Sequence, residues 1–403
     1  MKVYDVLIVG GGAAGFFAAV NAAKQNPKLN IGILERGNSV LSKVKISGGG
    51  RCNVTHAEFI PNVLATHYPR GEKELKGPFH SFTIGDTMAW FQSRGIPLKI
   101  EDDGRIFPVS NSAQTIIDCF LDEIQKYGVA LMKNHSVQSI APLENGWKLE
   151  TTKGLFSCQK LLIATGSNPK IWKLLGSLGI RIISAVPSLF TFDIDDERIK
   201  DIPGVVAKSV YVEVLGTNLA SDGPLLITHS GFSAPSILKL SAFGAIELAA
   251  LNYCFDVKIN FIQQNEASCM QALLNSKSEL CKKQVRNSTI FNLPKRLWYK
   301  LVEASCISET LRWAEVNKSQ LQALSNQLTA AVFKVHGKST FKEEFVTAGG
   351  IDLKEIDFKT FESKRFENLF FAGEILNIDG VTGGFNFQNA WTGAYLAAQE
   401  LSK

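Results

Sequence analysis

The sequence has no long hydrophobic run, no repeat of fixed period and no low-complexity tract. Its only long uncharged stretch near the start, Val6–Val20, contains three consecutive glycines and is shorter than the roughly 18 apolar residues that a membrane span needs. The seven cysteines are an odd number and no two form C-x-x-C, so neither a zinc ribbon nor a dithiol redox centre is indicated. We therefore expect no targeting segment, no membrane association, no metal site and a cytoplasmic location.

The chain does contain enough apolar sequence to bury a large core. Its 403 residues are 45% hydrophobic and 20% charged, with a formal net charge of +5. At roughly 150 residues per domain, this length predicts two or three domains. The composition excludes a disordered chain, a collagen and a small disulfide-stapled domain.

A dinucleotide-binding motif opens the sequence. The apolar run Val6–Val9 is typical of a strand buried on both faces, and it leads into Gly10-Gly11-Gly12-Ala13-Ala14-Gly15, which has the form G-x-G-x-x-G. A helical stretch over 16–24 and a second strand over 31–34 that ends in Glu35 complete a βαβ unit. This arrangement predicts that FAD or NAD binds here, with its pyrophosphate at the helix N-terminus and its ribose at the acid. The expected contacts are Gly10, Gly12, Ala13, Ala14, Gly15, Glu35 and Arg36.

A second glycine-rich turn near the C-terminus favours FAD over NAD. Residues 368–374 are typical of a buried strand, and residues 379–386 lead into a helix over 387–401. In flavoproteins of two-dinucleotide-like topology, such a late strand and helix close the FAD site. We expect Asp379 at the ribitol or pyrophosphate and the amides of Gly383 and Gly384 at the flavin pyrimidine edge. The full predicted set is Gly373, Glu374, Asp379, Gly383, Gly384, Phe385 and Asn386.

A third apolar strand, Leu161–Ile163, ends in the small-residue turn Ala164-Thr165-Gly166 after a hairpin-like region. We expect this turn to pass close to the cofactor. The backbone near Val137, in the hairpin-like region, is expected to meet the adenine.

Several further motifs carry a family resemblance. They are Lys43–Thr55, which contains Ser47-Gly48-Gly49-Gly50-Arg51-Cys52-Asn53; Gly104–Pro108; Thr228–Ser233; Lys354–Ile356 with Glu362–Lys364; and Ala372–Gln388. Together they resemble the YhiN/BaiN-type family of FAD-dependent oxidoreductases over nearly the whole chain. The resemblance implies an α/β fold with a Rossmann-like FAD-binding domain of the glutathione-reductase type, built on a central parallel sheet. It also implies that an inserted β-barrel-like and helical domain interrupts this FAD-binding domain.

We place the discontinuous FAD domain at residues 1–187 and 342–403. The inserted domain is expected at 188–341, mainly β over 188–265 and mainly helical over 266–341.

The Ser47–Asn53 loop offers amides, a guanidinium, a thiol and a carboxamide to the flavin. The predicted contacts are Lys43, Ser47, Gly48, Gly49, Gly50, Arg51, Cys52 and Asn53. Cys52 is a candidate catalytic residue, although a thiol that contacts the flavin or lines the substrate site is the preferred interpretation. His229 is the best candidate proton donor, and the alternative is a histidine that only orders a turn.

The chain contains no second G-x-G-x-x-G for a dedicated nicotinamide domain. We therefore expect NAD(P)H to dock transiently, reduce the flavin at N5 and leave, after which a C=C or C=O of an acceptor takes the hydride. The resemblance implies a reductase, and acceptors in the family include a uridine in ribosomal RNA and steroid-like enones. A redox-sensing flavoprotein without turnover is a further alternative.

Positive charge is concentrated in one segment. Residues 277–338 contain 11 Lys and Arg against four acids, a local balance of +7, together with Trp298, Tyr299 and Trp313. This mixture suits phosphates and stacked bases, so the segment Lys277–Lys338 is a candidate contact for ribosomal RNA. The alternative is an amphipathic helical insert whose aromatic residues are core and whose lysines are solvated, with a small-molecule substrate.

Overall fold

The computed structural model describes residues 1–339 and 346–403, and these fall into two units. The first comprises residues 1–186 and 346–403, and the second comprises residues 187–339. The predicted domain boundary between residues 341 and 342 lies outside the described residues, and the domain limits stay a prediction.

The N-terminal part of the first unit contains both strands and helices. The elements are β1 (Lys2–Val9), α1 (Ala13–Gln25), β2 (Ile31–Leu34), α2 (Ser42–Gly50), β3 (Thr55–His56), α3 (Pro61–Ala65), α4 (Glu72–Ser81), α5 (Ile84–Gln92), β4 (Leu98–Ile100), β5 (Arg105–Pro108), α6 (Ala113–Lys126), β6 (Ala130–Met132), β7 (Val137–Leu143), β8 (Gly146–Thr151), β9 (Gly154–Ile163), α7 (Pro169–Ser177) and β10 (Ile182–Ser188).

The second unit combines strands with two sets of helices. In chain order its elements are β11 (Thr191–Asp193), β12 (Val206–Val214), β13 (Ala220–Ile227), β14 (Gly231–Ser233), α8 (Pro235–Phe243), α9 (Ala245–Ala250), β15 (Phe255–Asn260), α10 (Glu266–Glu279), α11 (Lys295–Ala304), α12 (Lys318–Thr329), β16 (Ala331–Val335) and β17 (Gly337–Ser339). The return to the first unit adds β18 (Val346–Ile351), β19 (Ile356–Asp357), β20 (Glu362–Ser363), β21 (Leu369–Phe371) and α13 (Phe385–Leu401).

A parallel sheet in the order β21-β9-β1-β2-β6 forms the centre of the first unit. The last four residues of β1 and all of β2 are buried, which explains why both strands are continuous apolar runs rather than alternating ones. In register, Ile8 pairs with Ile33 on one side and Leu162 on the other. The C-terminal strand β21 joins the edge of β9, so the two ends of the chain share one sheet. These features confirm the predicted α/β Rossmann-like fold.

The core of the second unit lies between a seven-stranded antiparallel sheet and its helices. The strand order is β16-β15-β12-β13-β14-β11-β17. Trp298 on α11 and Trp313 are completely buried in this core, and the indole nitrogen of Trp298 donates to the carbonyl of Val285 at 3.0 Å. Both tryptophans are therefore core residues, as the alternative interpretation of this segment expected, and they are not available to stack on bases.

No helix in residues 1–339 or 346–403 is long and apolar enough to cross a membrane.

Candidate cofactor site

The three motif glycines of the G-x-G-x-x-G turn differ in what a side chain would meet. Gly10 has a φ of +114°, and a Cβ there would lie 2.4 Å from the carbonyl oxygen of Ala164. A Cβ on Gly15 would lie 2.0 Å from the carbonyl oxygen of Gly10, so this glycine allows α1 to pack on the turn. Gly12, the N-cap of α1, has no atom within 4 Å of its Cβ position. The packing of the protein itself therefore requires glycine at positions 10 and 15. Gly12, by contrast, faces open space at a helix N-terminus.

Glu35 closes this turn from the end of β2. Its two carboxylate oxygens accept hydrogen bonds from the amides of Gly11 at 2.9 Å and Gly37 at 2.8 Å. Each oxygen keeps a second lone pair, so the carboxylate is oriented and can still accept from ribose hydroxyls. The backbone of Glu35 is also bonded to Met132 and His135, which fixes β2 beside β6.

A small, partly open cleft lies at the carboxyl ends of the central strands β1, β2 and β9. Such a crevice is where open α/β sheets bind their ligands. The hydroxyl of Thr165 is buried and has no hydrogen-bond partner among the described residues. The cleft is lined by Val9, Gly10, Leu34, Glu35, Arg36, His135, Ser136, Val137, Thr165, Asn168, Lys170 and Ile171. The structure thus brings Gly10, Glu35, Arg36, Val137 and Thr165 together as sequence reasoning expected, and it adds Asn168 and Lys170.

The end of β21 meets the start of α1. A Cβ on Gly373 would lie 3.3 Å from the Cβ of Ala14, so a larger residue there would press against α1. The next residue, Glu374, forms an ion pair with Lys43. Its carboxylate also faces Gly166, with 3.7 Å between Oε2 and the Cβ position of that glycine. Predicted residues from four separate parts of the sequence therefore converge on one location.

The Ser47–Asn53 segment is partly helical rather than a loop throughout. Helix α2 extends through Gly50 with a kink, and residues 48 to 50 all have positive φ. Gly49 has no atom within 4 Å of its Cβ position, whereas a Cβ on Gly48 would lie 2.7 Å from the ring of Phe107. Arg51 stacks on that ring at 3.9 Å and pairs with Glu101 at 2.7 Å. The charges of Arg51 and Lys43 are thus both partly compensated within the protein, and their contact with the cofactor stays a prediction.

Cys52 is completely buried, and burial raises the pKa of its thiol to about 12. A buried, neutral thiol is a poor nucleophile, which favours the interpretation of Cys52 as a lining residue, and its catalytic role stays a prediction. The neighbouring Asn53 is also buried, and its carbonyl oxygen Oδ1 has no hydrogen-bond partner among the described residues. That oxygen lies 2.9 Å from the Cβ position of Gly384, at the start of α13.

His229 lies in the turn between β13 and β14 of the second unit and is exposed. Its neighbour Thr228 orders the turn by accepting from the amides of Ser230 and Gly231. The role of His229 as a proton donor stays a prediction.

Asp379 differs from its predicted role. It is completely buried, and both carboxylate oxygens accept hydrogen bonds from the guanidinium of Arg70. The carboxylate has no surface that a ribitol or a pyrophosphate could contact in this conformation. Arg70 was missed because it lies 309 residues away in an aperiodic loop, where no local pattern indicates a partner.

The N-terminus of α13 is held by a polar network that sequence reasoning also missed. Gln388 accepts hydrogen bonds from Thr55 at 2.7 Å and from Thr87 at 3.0 Å, and it donates to Thr392 at 3.1 Å. The side chain of Asn386 bonds both backbone groups of Gly380. The Gly380–Gly384 turn is therefore held in one shape, with the amides of Gly383 and Gly384 at the start of the helix.

These features fit FAD. The open space at Gly12, the oriented carboxylate of Glu35 and the unpartnered polar atoms of Thr165 and Asn53 are all found where a dinucleotide with a flavin would need them. In the described part of the chain, no group of three or more His, Cys, Asp or Glu side chains could hold a metal ion.

Comparison with known proteins agrees with this geometry. The family model described as HI0933-like protein Rossmann domain matches residues 4–400. A ribosomal RNA dihydrouridine synthase of Escherichia coli is 29% identical over 415 residues, which cover 100% of this chain and 98% of that protein. A 3-dehydro-bile acid delta(4,6)-reductase of Clostridium scindens is 25% identical, with 98% of both chains covered.

Among solved structures, a 3-ketosteroid-delta4-(5alpha)-dehydrogenase of Rhodococcus jostii RHA1 matches with a TM-score of 0.51 at 12% identity, covering 98% of this chain and 97% of that one. This likeness shows a shared fold. The sequence match and the site geometry agree, and the chain belongs to the HI0933-like Rossmann-domain family and is an FAD-dependent oxidoreductase.

Proposed function

We propose that this protein is an NAD(P)H-dependent reductase that saturates the C5=C6 double bond of a uridine in ribosomal RNA, in the cytoplasm. The observation that carries the choice of RNA is an exposed basic face on the second unit. The relative from Escherichia coli that aligns with the whole chain is named for this reaction, which supports the same assignment.

The protein's own groups would hold and orient the cofactor. Glu35 would bind the adenosine ribose, the α1 N-terminus at Gly12 would bind the pyrophosphate, and the amides of Gly383 and Gly384 would face the flavin pyrimidine edge. FAD supplies hydride transfer between the nicotinamide and the base. NAD(P)H would dock only transiently, since the chain carries one dinucleotide motif.

The basic face consists of side chains on α11 and the two segments beside it. They are Lys282, Lys283, Arg286, Lys295, Arg296, Lys300 and Arg312. Helix α11 buries Leu297, Trp298, Leu301 and Val302, so its charged positions point outward. The indole hydrogen bond from Trp298 to Val285 joins α11 to residues 282–286. The backbone amide of Trp313 donates to the carbonyl of Lys283, which brings Arg312 alongside.

The charge on this face is largely uncompensated. Arg286 pairs with Glu309, whereas within the described residues the other six cations form no ion pair. Arg286 also lies over the half-buried ring of Tyr299, at 4.9 Å from its centroid. Cations without carboxylate partners are what a phosphate backbone requires.

The reaction is tested with purified holoenzyme, NADH or NADPH, and ribosomal RNA, followed by mass-spectrometric measurement of dihydrouridine. The proposal expects dihydrouridine at a defined position and oxidation of the nicotinamide in equal amount. Nicotinamide oxidation that depends on a steroid-like enone, with the RNA unchanged, would contradict it.

The role of the basic face is tested by charge reversal. Lys295→Glu with Arg296→Glu should weaken RNA binding at least tenfold and make the slope of log K against log salt shallower by roughly 1.4 to 1.8, because each of the two lost phosphate contacts removes about 0.7 to 0.9. Lys208→Glu with Lys239→Glu makes the same change in net charge at exposed positions elsewhere in the second unit. The control should bind like the wild type. Equal effects of both pairs would show that only net charge matters.

A reductase of a small enone is the second candidate. It is favoured by the buried positions of Trp298 and Trp313, which remove two of the aromatic side chains expected to stack on bases. The relative from Clostridium scindens is named for an acceptor of this class. Activity that is insensitive to the basic-face variants would favour this alternative.

A further inference from the structure

A short segment that no motif indicated, residues 67–71, contacts most of the turn that precedes α13. The amide of Val381 donates to the carbonyl of His67 at 3.0 Å, and the hydroxyl of Tyr68 donates to the carbonyl of Phe385 at 2.6 Å. The ring of His67 stacks on that of Phe385 at 4.3 Å. We call residues 67–71 the strap.

Glycines make these contacts close. A Cβ on Gly71 would lie 2.8 Å from the side chain of Ile378, and a Cβ on Gly380 would lie 3.1 Å from the ring of Tyr68. The strap backbone at Gly71 therefore packs on the side chain of Ile378, and the turn backbone at Gly380 packs on the side chain of Tyr68. Nothing in this packing requires a charge.

The strap nevertheless carries a buried charge pair. The side chain of Arg70 is 11% exposed and that of Asp379 is 0% exposed, and two guanidinium nitrogens bond the two carboxylate oxygens. An isolated β-bridge also joins the backbones of these two residues. Burying two ions is costly even when they are paired, and well-packed apolar residues of similar size often stabilise a fold equally well or better. Stability alone therefore gives no reason for ions at this position.

The pair's place in the chain indicates another reason. Asp379 lies four residues before Gly383, whose amide, with that of Gly384, begins α13 and is expected at the flavin pyrimidine edge. Negative charge develops at that edge when the flavin is reduced, so a fixed charge nearby changes the relative affinity for reduced and oxidised FAD.

We propose that Arg70 and Asp379 are positioning residues that set the reduction potential of the bound flavin through their balanced charges. This inference rests on the FAD site of the proposed function and not on the identity of the substrate. Removing the carboxylate leaves a buried cation, which favours reduced flavin. Removing the guanidinium leaves a buried anion, which disfavours it.

The test measures the FAD midpoint potential in Asp379→Asn and Arg70→Met, together with FAD affinity and the unfolding of the apoprotein. We expect at least a tenfold change in the affinity ratio of reduced to oxidised FAD, in opposite directions. For a two-electron couple this is a shift of about 30 mV upward in Asp379→Asn and about 30 mV downward in Arg70→Met. Both variants should unfold more easily than the wild type.

The double variant Arg70→Met with Asp379→Asn keeps the proposal testable if one single variant does not fold. The midpoint potential of the double variant should return to within about 10 mV of the wild type. For a two-electron couple this corresponds to about a twofold change in the affinity ratio of reduced to oxidised FAD. His80→Gln, at an exposed position on α4, is the control and should change neither potential nor stability. Shifts of the same sign in both single variants, or no shift in either, would overturn the proposal.

These outcomes are separate from those of the RNA reaction. Failure to form dihydrouridine would leave the potentials as predicted, whereas unchanged potentials would leave dihydrouridine formation intact.

Discussion

Gly12 provides the sharpest test of the cofactor site, because the protein itself does not need a glycine there. The backbone of Gly12 is extended, with a φ of −97°, and no atom lies within 4 Å of its Cβ position. In the Gly12→Ala variant the methyl group therefore meets no protein atom, and alanine restricts the unfolded chain. Because alanine is also a poorer helix N-cap than glycine, the two effects oppose each other, and we expect the stability of the apoprotein to stay within about 1 kcal/mol of the wild type.

FAD binding should respond in the opposite direction. The new methyl group occupies the space in which the pyrophosphate would approach the amides of α1. Loss of one charge-assisted hydrogen bond costs about 1.5–3 kcal/mol, which corresponds to a roughly 10- to 100-fold weaker FAD affinity. Affinity is measured by titrating the deflavinated protein with FAD and following the quenching of flavin fluorescence, and stability by urea unfolding of the same preparation.

Gly15→Ala is the matched control. Its Cβ would lie 2.0 Å from the carbonyl oxygen of Gly10, so the α1 backbone must shift, and we expect a loss of about 1–3 kcal/mol in the free energy of unfolding of the apoprotein. Wild-type FAD affinity in Gly12→Ala, or a loss of stability equal to that of Gly15→Ala, would refute the assignment of the open space to the pyrophosphate.

Three further predictions concern single side chains. The flavin of the Cys52→Ala variant should be reduced by NAD(P)H at the wild-type rate, because the thiol is buried and neutral. Stopped-flow absorbance measures this rate, and a stalled reduction would support a catalytic role for Cys52. Glu35→Ala should weaken FAD binding by roughly tenfold or more, measured by fluorescence titration, while Lys28→Ala, at an exposed position between α1 and β2, should leave it unchanged. Burial by itself raises the pKa of Glu123, but hydrogen bonds and charge from Lys126 and Arg94 outweigh burial, so the pKa in the folded protein is lowered. The ionised carboxylate therefore stabilises the fold fully above its unfolded pKa of about 4.3. This stabilisation is lost as pH falls through the lower pKa of the folded state. Urea unfolding should therefore find Glu123→Gln less stable than the wild type by about 1.5–3 kcal/mol at pH 7, with a difference that shrinks below about pH 4; a constant difference would contradict the assignment.

The parts of the site that follow from local sequence were predictable. The G-x-G-x-x-G turn and Glu35 lie within one βαβ unit, where the spacing alone determines which residues meet. The late strand and the α13 N-terminus were also recognisable, because glycines before a helix indicate a turn from the local sequence alone.

The parts that depend on distant contacts were not predictable. Arg70 and Asp379 are 309 residues apart, and nothing near either residue indicates the other. Burial of Cys52 depends on how α13 and β5 cover the Ser47–Asn53 segment, which no local pattern contains. For Trp298 the sequence left base stacking and the core open as alternatives. The apolar spacing of Leu297, Trp298, Leu301 and Val302 is that of the buried face of a helix, and it favours the core.

The proposed function is tested most directly by comparing the base modifications of ribosomal RNA from cells with and without this protein. The proposal predicts that one dihydrouridine is absent from the RNA of cells that lack the protein. It should return when the wild type is restored and should not return with Gly12→Ala at limiting FAD. Ribosomal RNA with identical modifications in both kinds of cell would contradict it.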